Sequence, residues 1–384
     1  MKVLKISIGA WQNASRDKRE LSVAQELGAD VVVIAKGEQT GHEDVVDGFR
    51  VLRCSTRPVK WMPISLNRVL SIFTWAAFSK KQNADIISGH DYIALLIGWL
   101  SNVGKRHKAK LIYDSHEFEL GRNAARSKFH CWCIYQIEHF LIKRCEFSIM
   151  VNDIIADEVQ RIYRLQERPV VVRNIAQYWE LDQNQINAAR EMFCKRLHAP
   201  QNAFLVMYHG GVTFNRGIEK LLHAMTAVPD AYVVILGNGE KAYVNSLHAL
   251  CESLHLTERV LFYPAVPLNE LRNYVAAANV GVVLSDPANP NGVYSLPNKF
   301  FENIQSMTPL IANDFPTMAQ LIDQYQIGLK VEPANEGELS KAIERMKSDQ
   351  TLYAACKENL KRAKEDLCWE KEKAVLVQAY SRVL

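Results

Sequence analysis

Short apolar segments of strand length recur along this 384-residue chain with helical segments between them, and the series starts afresh after about residue 200. The first series reads Lys2–Ile8, Val31–Ala35, Phe49–Arg53, Asp85–Ile87, Lys110–Tyr113, Phe147–Val151 and Pro169–Val172, with helices such as Arg16–Leu27 and Ser65–Lys81 between. The second reads Phe204–Tyr208, Ala231–Leu236, Val260–Tyr263, Val280–Leu284 and Pro309–Ala312, with helices at Gly217–Ala227, Lys241–Leu254, Leu268–Ala277 and Asn298–Ser306. A continuous apolar strand followed by a helix is a strand covered on both faces, which is the pattern of a parallel sheet. Two such series predict an α/β protein of two doubly wound, Rossmann-type domains, and the length suits two cores better than one. The polar stretch Gln177–Gln185 reads as the linker, so the expected division is 1–176, 177–366 and a terminal helix over 367–384. Trp369, Leu376, Tyr380 and Val383 share one face of that helix. Such a stripe must be buried, and packing back onto the first domain would tie the two halves together.

Composition narrows the class. With 48% hydrophobic and 23% charged residues the chain is ordinary for a soluble globular protein. Its eight cysteines have no framework spacing, so reduced thiols in a cytoplasmic setting are expected. The start, Met1 to Ile8, is too short and interrupted for a signal peptide and fits a first strand. The longest apolar run, Ile93 to Leu100, is far too short to cross a bilayer. Charge is uneven: residues 1–175 carry 26 Lys/Arg against 19 Asp/Glu, a balance of +7, and the remainder 20 against 23, a balance of −3. The first half is thus the one drawn to anions. That excess is modest and accompanies no nucleic-acid-binding motif, so nucleic acid is not expected as a partner.

The second half holds three candidate binding segments. Ser295-Leu296-Pro297-Asn298-Lys299-Phe300-Phe301-Glu302 reads as a loop and the first turns of a helix opened by Pro297 and Asn298. Unpaired N–H groups and the dipole make a helix start attractive to an anion. Lys299 adds a cation there, and the Glu302 carboxylate can accept from sugar hydroxyls. Phosphate beside a sugar hydroxyl is what a sugar nucleotide presents. Earlier, Tyr208-His209-Gly210-Gly211 leads through Arg216-Gly217 into an amphipathic helix. Gly210 and Gly211 permit close backbone approach to a diphosphate, and Arg216 offers a forked cation. Leu236-Gly237-Asn238-Gly239 is a third glycine turn; alone it is an ordinary strand-to-helix connection. It gains weight from position, because ligands of open α/β sheets bind beyond the carboxyl ends of strands.

In the first half, Asp114, His116 and Glu117 follow a buried strand at the corresponding edge, where a histidine can meet a sugar or a reacting group; against this stands a loop histidine that only caps backbone. Gly9 and Ala10 follow the first strand by the same logic. The segment from Arg57 to Lys81 mixes Trp61, Met62, Ile64, Leu66, Val69, Leu70, Ile72, Phe73 and Trp75 with basic residues including Lys60. It reads equally as a membrane-surface helix or a core-facing one, with the basic excess tilting toward the membrane. His130-Cys131-Trp132-Cys133 lacks a second pair at zinc spacing, and no Asp-x-Asp triplet occurs, so no metal site is expected.

Together these motifs resemble the group-one glycosyltransferases, a large retaining family with the GT-B fold, over nearly the whole chain. The likeness runs through Ile8-Gly9-Ala10, Glu138-His139-Phe140 with Phe147–Val151, and Val171-Val172-Arg173-Asn174. It continues through Gly210 to Ile218, Leu236 to Gly239, Leu296 to Glu302 and the helix from near Trp369. The resemblance implies two Rossmann-type domains facing each other across a cleft. It implies Arg216 and Lys299 on the donor diphosphate, Glu302 on the ribose as the second glutamate of a Glu-x7-Glu motif, and His116 near the transferred sugar. The chain departs from the family twice. Tyr294 stands where the first glutamate would fall, and Gly210-Gly211 replace a more usual arginine.

The expected activity is transfer of a sugar from a nucleotide-diphosphate donor to an acceptor hydroxyl, with retention implied by the likeness and no metal or other cofactor. His116, Arg216 and Lys299 are the expected catalytic residues. Gly9, Gly210, Gly211, Gly237, Asn238, Asn298 and Glu302 are expected to bind substrate. The basic first domain suggests a sugar or lipid-linked glycan acceptor, peripheral contact with the inner face of an anionic membrane, and a place in cell-surface polysaccharide assembly. Two other readings keep the architecture: a sugar-nucleotide 2-epimerase, and a non-catalytic sugar-nucleotide-binding subunit, the latter favoured by Tyr294.

Overall fold

The computed structural model describes residues 1–9, 11, 14–56, 59, 61–121, 126–287, 290–333 and 335–384. The chain divides into two units: Met1–Arg173 with Lys373–Leu384, and Asn174–Glu372.

The first unit is built on β1 (Lys2–Ser7), β2 (Asp30–Lys36), β3 (Glu43–Val46), β4 (Phe49–Cys54), β5 (Ile86–His90), β6 (Lys110–Asp114), β7 (Phe147–Met150) and β8 (Val170–Val171). They form one sheet in the order β3-β4-β2-β1-β5-β6-β7-β8. Every pairing is parallel except β3 with β4. Of that antiparallel hairpin β4 matches the expected strand Phe49–Arg53, while β3 is not among the expected strands. The hairpin's turn is Asp47-Gly48, both at positive φ (51° and 81°), the dipeptide that suits the twist of a two-residue hairpin. The chain order reverses at β1, whose neighbours are β2 and β5, so the carboxyl ends of β1, β5 and β6 surround the switch point.

The second unit holds β9 (Phe204–His209), β10 (Ala231–Leu236), β11 (Val260–Tyr263), β12 (Val280–Val283), β13 (Leu310–Asn313) and β14 (Gly328–Val331). Their order is β11-β10-β9-β12-β13-β14, all parallel. Alternation along β9 shows why its run is unbroken. Val206 and Tyr208 pack in one core with Ile218, Leu221 and Leu222, while Leu205 and Met207 pack in the opposite one with Phe193 and Leu236. Both faces of the strand are covered, so neither set of side chains can be polar. Here the order reverses between β9 and β12.

The expected linker is not one. Helix Gln183–Arg196 starts inside Gln177–Gln185, capped by Asp182. Trp179 ahead of it is buried, and its N–H donates to Gln305 Oε1 at 3.0 Å. A polar composition there serves a cap and a packed tryptophan rather than a free connection. The terminal stripe is buried throughout. Trp369 belongs to the second unit, where its N–H donates to the Ala176 carbonyl. From Lys373 onward the helix Trp369–Ser381 belongs to the first, where the Tyr380 hydroxyl donates to Glu20 at 2.6 Å and Phe147 meets its ring edge-on.

Candidate functional site

In the second unit the loops after β9, β10 and β12 meet at the reversal point. Gly210 leaves β9 at φ 113°, a conformation that favours glycine, and its N–H donates to the Leu236 carbonyl. The Val212 N–H donates to Asn238 O at 2.9 Å, so the two glycine loops are locked backbone to backbone. A Cβ at Gly237 would lie 1.8 Å from the Gly210 carbonyl oxygen, and one at Gly239 2.1 Å from that of Val212. The second glycine turn therefore exists to let the first loop sit against it. Asn238 braces the same region, its Oδ1 accepting from the Ala265 N–H at 3.1 Å. Gly211 is different: its Cβ would meet nothing nearer than 4.0 Å, and it is exposed.

Arg216 follows on the same loop, exposed, and hydrogen-bonds no described residue. Its neighbour Gly217, at φ 71°, packs so closely on Leu284 that a Cβ would lie 2.5 Å from the Leu284 Cβ. Lys299 reaches the same place from the helix Asn298–Gln305. Its buried Nζ donates to the Leu284 carbonyl at 3.1 Å and stands 4.6 Å from the centre of the Tyr208 ring. Burial pulls the Lys299 amine down to about 7; the Arg216 charge adds to this and Glu302 opposes it. The helix begins after Pro297, which holds the cap position, and Asn298 is its exposed first residue without a side-chain cap bond. One turn on, Glu302 Oε2 lies 3.0 Å from Nε2 of the buried His209. The His209 Nδ1 is buried with no hydrogen-bond partner among the described residues. Arg216, Lys299 and Glu302 thus gather around the ends of β9 and β12, two cations beside one carboxylate. Sequence reasoning named these three and passed over His209, although it closes β9 at the edge where ligands were expected.

The first unit brings a second cluster to its own reversal point. His116 Nε2 lies 3.0 Å from Asp114 Oδ2 and 3.3 Å from Asp17 Oδ1. His90, at the end of β5, places Nδ1 3.0 Å from Asp17, and the two imidazole rings are 3.8 Å apart. Beneath them the buried Lys5 ammonium touches Asp17, Glu20 and Asp114, and Arg16 donates to Asp114 at 2.9 Å. Burial lowers the His116 pKa, but the charge of Asp114 and hydrogen bonds to Asp114 and Asp17 outweigh it and raise the imidazole to about 9. Asp17, His90 and His116 put their ligand atoms close enough to share an ion. Lys5, 3.3 Å from Asp17, already supplies positive charge to that carboxylate. Gly9 ends up exposed after β1, where a Cβ would meet nothing; Ala10 lies outside the described residues. Glu138 is structural, accepting from the Tyr163 hydroxyl at 2.6 Å in the core. Asp17, His90 and Lys5 escaped sequence reasoning. His90 was within reach of the strand-end argument that found His116; a lysine inside a strand gives no such signal.

Residues 190–363 match the family model "Glycosyl transferases group 1", and residues 18–174 match "Glycosyl transferase 4-like domain". An uncharacterised glycosyltransferase of Methanocaldococcus jannaschii is 24% identical over 369 residues, covering 90% of each chain. The lipopolysaccharide core biosynthesis glycosyltransferase LpsE of Rhizobium meliloti is 26% identical over 189 residues, 49% of this chain and 52% of the relative. Among solved structures, Anabaena HepE in complex with UDP superposes with a TM-score of 0.74 at 15% identity, covering 100% of this chain and 99% of that one.

Proposed function

The chain belongs to the group-one glycosyltransferase family and has its GT-B fold, and from that premise we propose that it moves a hexose from a nucleoside-diphosphate donor to an acceptor hydroxyl, with retention at the anomeric carbon. The observation that carries the donor is the gathering of Arg216, Lys299 and Glu302 at the ends of β9 and β12. The bond that breaks joins the anomeric carbon to the diphosphate, and negative charge grows on the departing oxygen. Arg216 and Lys299 meet that charge, aided by the N–H groups at the start of the helix Asn298–Gln305. They take the part that a divalent metal plays elsewhere, so transfer is expected to persist after chelation. Glu302 accepts from the ribose hydroxyls, steadied by His209. His116, a cation over most of the neutral range, donates to the transferred sugar. Tyr294 replaces the family's other glutamate, so sugar contacts fall to different groups.

The relatives support uridine as the base and cell-surface glycan as the product: HepE was solved with UDP-glucose bound, and LpsE belongs to lipopolysaccharide core biosynthesis. The acceptor proposed here is a lipid-linked glycan met at the cytoplasmic face of a membrane. No described helix is long and apolar enough to cross one. The test is a melting-temperature screen across nucleoside diphosphates and their sugars, followed by transfer with the donor that stabilises most. A donor that raises Tm, and a product whose anomeric configuration by NMR equals the donor's, support the reading. Epimerised donor formed without acceptor would replace it with the 2-epimerase, and binding without turnover with the non-catalytic subunit.

A further inference from the structure

The helix Ile64–Lys80 of the first unit turns only Trp75, Ala76 and Ser79 fully inward. Ile72 and Phe78 beside them are half-buried, and the remaining apolar residues face solvent. Trp61 just ahead of it is 82% exposed and Ile64 74%, and Leu66, Val69, Leu70 and Phe73 are all exposed. The core-facing reading accounts only for the stripe of Trp75, Ala76 and Ser79 and leaves these exposed side chains unexplained. A second exposed group lies on the helix Lys128–Ile142: Phe129 at 73%, Trp132 stacked beside it, and Phe140. Both helices pack against the helix Asp91–Asn102, which lies between them, and Phe140 meets Trp99 of that helix edge-on. All three are crossovers running the same way along the sheet, from β4 to β5, β5 to β6 and β6 to β7. Right-handed crossovers of one direction lie on one face, so the two apolar groups stand on the same side of the unit.

Charge identifies the occupant. Residues 54–84 contain five basic side chains and no acidic one, and residues 92–113 contain four and none. Of these, Arg68, Lys80, Lys81, Arg106 and Lys108 are exposed; Lys128 at the start of the second helix and Lys143 and Arg144 just past its end are exposed too. Arg57 and Lys60 fall outside the described residues. Arg144 lies over the Phe140 ring at 3.5 Å, a cation beside an apolar anchor. Exposed aromatic and aliphatic side chains set among lysine and arginine suit the boundary between headgroups and acyl chains of an anionic bilayer. A second copy of the chain would bring the same positive charge against itself.

We propose that this two-helix face, anchored by Trp61 to Phe73 on one side and by Phe129 and Trp132 on the other, docks the protein on an anionic lipid surface. It deepens the reading above by naming the surface that would bring a lipid-linked acceptor within reach, and it rests on that reading only for the acceptor. Docking inserts side chains from two separated helices, so each group contributes and neither alone suffices.

The experiment is sedimentation of the whole protein with phosphatidylcholine vesicles made with and without phosphatidylglycerol. Two double variants are compared, Trp61→Ser with Phe73→Ser and Phe129→Ser with Trp132→Ser. Both pairs are exposed, and a cooperative melt of the free protein at the wild-type Tm, with an unchanged circular dichroism spectrum, checks that each variant is folded. Expected are binding that needs phosphatidylglycerol, weakens with salt, and falls at least tenfold in each double variant. Equal binding by wild type and variants would overturn the proposal. So would a wild-type dimer by light scattering that the variants convert to monomer without any vesicle binding. Loss of vesicle binding with transfer to a soluble acceptor intact removes the docking face and keeps the enzyme. Vesicle binding with no transfer to any acceptor removes the enzyme and keeps the face.

Discussion

The ammonium of Lys299 donates to the carbonyl of Leu284 at 3.1 Å, and Leu284 is also the residue against which Gly217 packs. One strand end thereby fixes both the buried amine and the loop that carries Arg216. This is why two cations remote in sequence reach the same place without a carboxylate to neutralise each.

If Lys299 meets the donor's diphosphate, its buried amine near neutrality makes that binding proton-linked. With Lys299 at about 7, the free protein holds it largely uncharged at pH 8, while a bound diphosphate favours the ammonium. Binding of UDP at pH 8 is therefore expected to take up a proton, and affinity to fall as pH rises above about 7. Titration calorimetry in buffers of different ionisation enthalpy measures the uptake. Lys299→Met is expected to abolish it; undiminished uptake in that variant would show that the proton goes elsewhere. A lysine whose folded pKa lies below 10.5 destabilises the fold most below about 7, so its contribution improves between pH 7 and 10.5.

Much of this arrangement was legible beforehand, and the reason is positional. Strand runs covered on both faces announced the sheets, and loops at strand ends announced Arg216, Lys299, Glu302 and His116. The gaps have physical causes. β3 is half exposed and short, with no apolar run to reveal it, and only its Asp47-Gly48 turn carried a signal. β14 is an edge strand, Gly328–Val331, mostly unburied. Lys5 stands in β1 as a charge among apolar residues, and only the fold brings Asp17, Glu20 and Asp114 to meet it. In the sequence Gly237 reads as a turn glycine that binds substrate. Its cause, the Gly210 carbonyl against its α-carbon, is a tertiary contact that no local pattern encodes.

Glu302 makes a prediction about the pentose. If its carboxylate accepts from the ribose hydroxyls, Glu302→Ala weakens UDP binding by about tenfold to a hundredfold, or ~1.4–2.8 kcal/mol. The same substitution leaves binding of 2′-deoxy-UDP almost unchanged when the 2′-hydroxyl is the partner. His209→Ala, which removes the imidazole 3.0 Å from that carboxylate, is expected to give a smaller loss in the same direction. Equal losses for the two nucleotides in Glu302→Ala would place the carboxylate away from the 2′-hydroxyl.

His116 should be read through pH. Its imidazole is raised from 6.5 to about 9, chiefly by Asp114 once the opposing effect of burial is overcome. The folded state therefore holds the proton more tightly than the unfolded chain. The stability this contributes is fully present below pH 6.5 and is lost as pH rises through about 9. His116→Gln is expected to remove that slope from a plot of Tm against pH. If the imidazolium donates to the transferred sugar, kcat falls along the same alkaline limb, and Asp114→Asn moves that limb to lower pH. An alkaline limb unmoved in Asp114→Asn would assign it to another group.

Glycines separate folding from binding. A Cβ at Gly237 would be 1.8 Å from a backbone oxygen, which cannot move without breaking the lock between the two loops. Gly237→Ala is therefore expected to cost about 3 kcal/mol or more and to lower Tm whether or not ligand is present. At Gly211 the same methyl group meets open space. Gly211→Ala is expected to leave the Tm of the free protein within about a degree, since surface changes of this kind stay within ~0.5 kcal/mol. Its effect should emerge only with a nucleoside diphosphate, because a methyl group there keeps the phosphates from the backbone. The two variants, melted with and without UDP, read opposite columns: one loses stability in both, the other loses only the ligand's contribution. A Gly211→Ala protein stabilised by UDP as strongly as wild type would show that the diphosphate lies elsewhere and leave Arg216 without its proposed ligand.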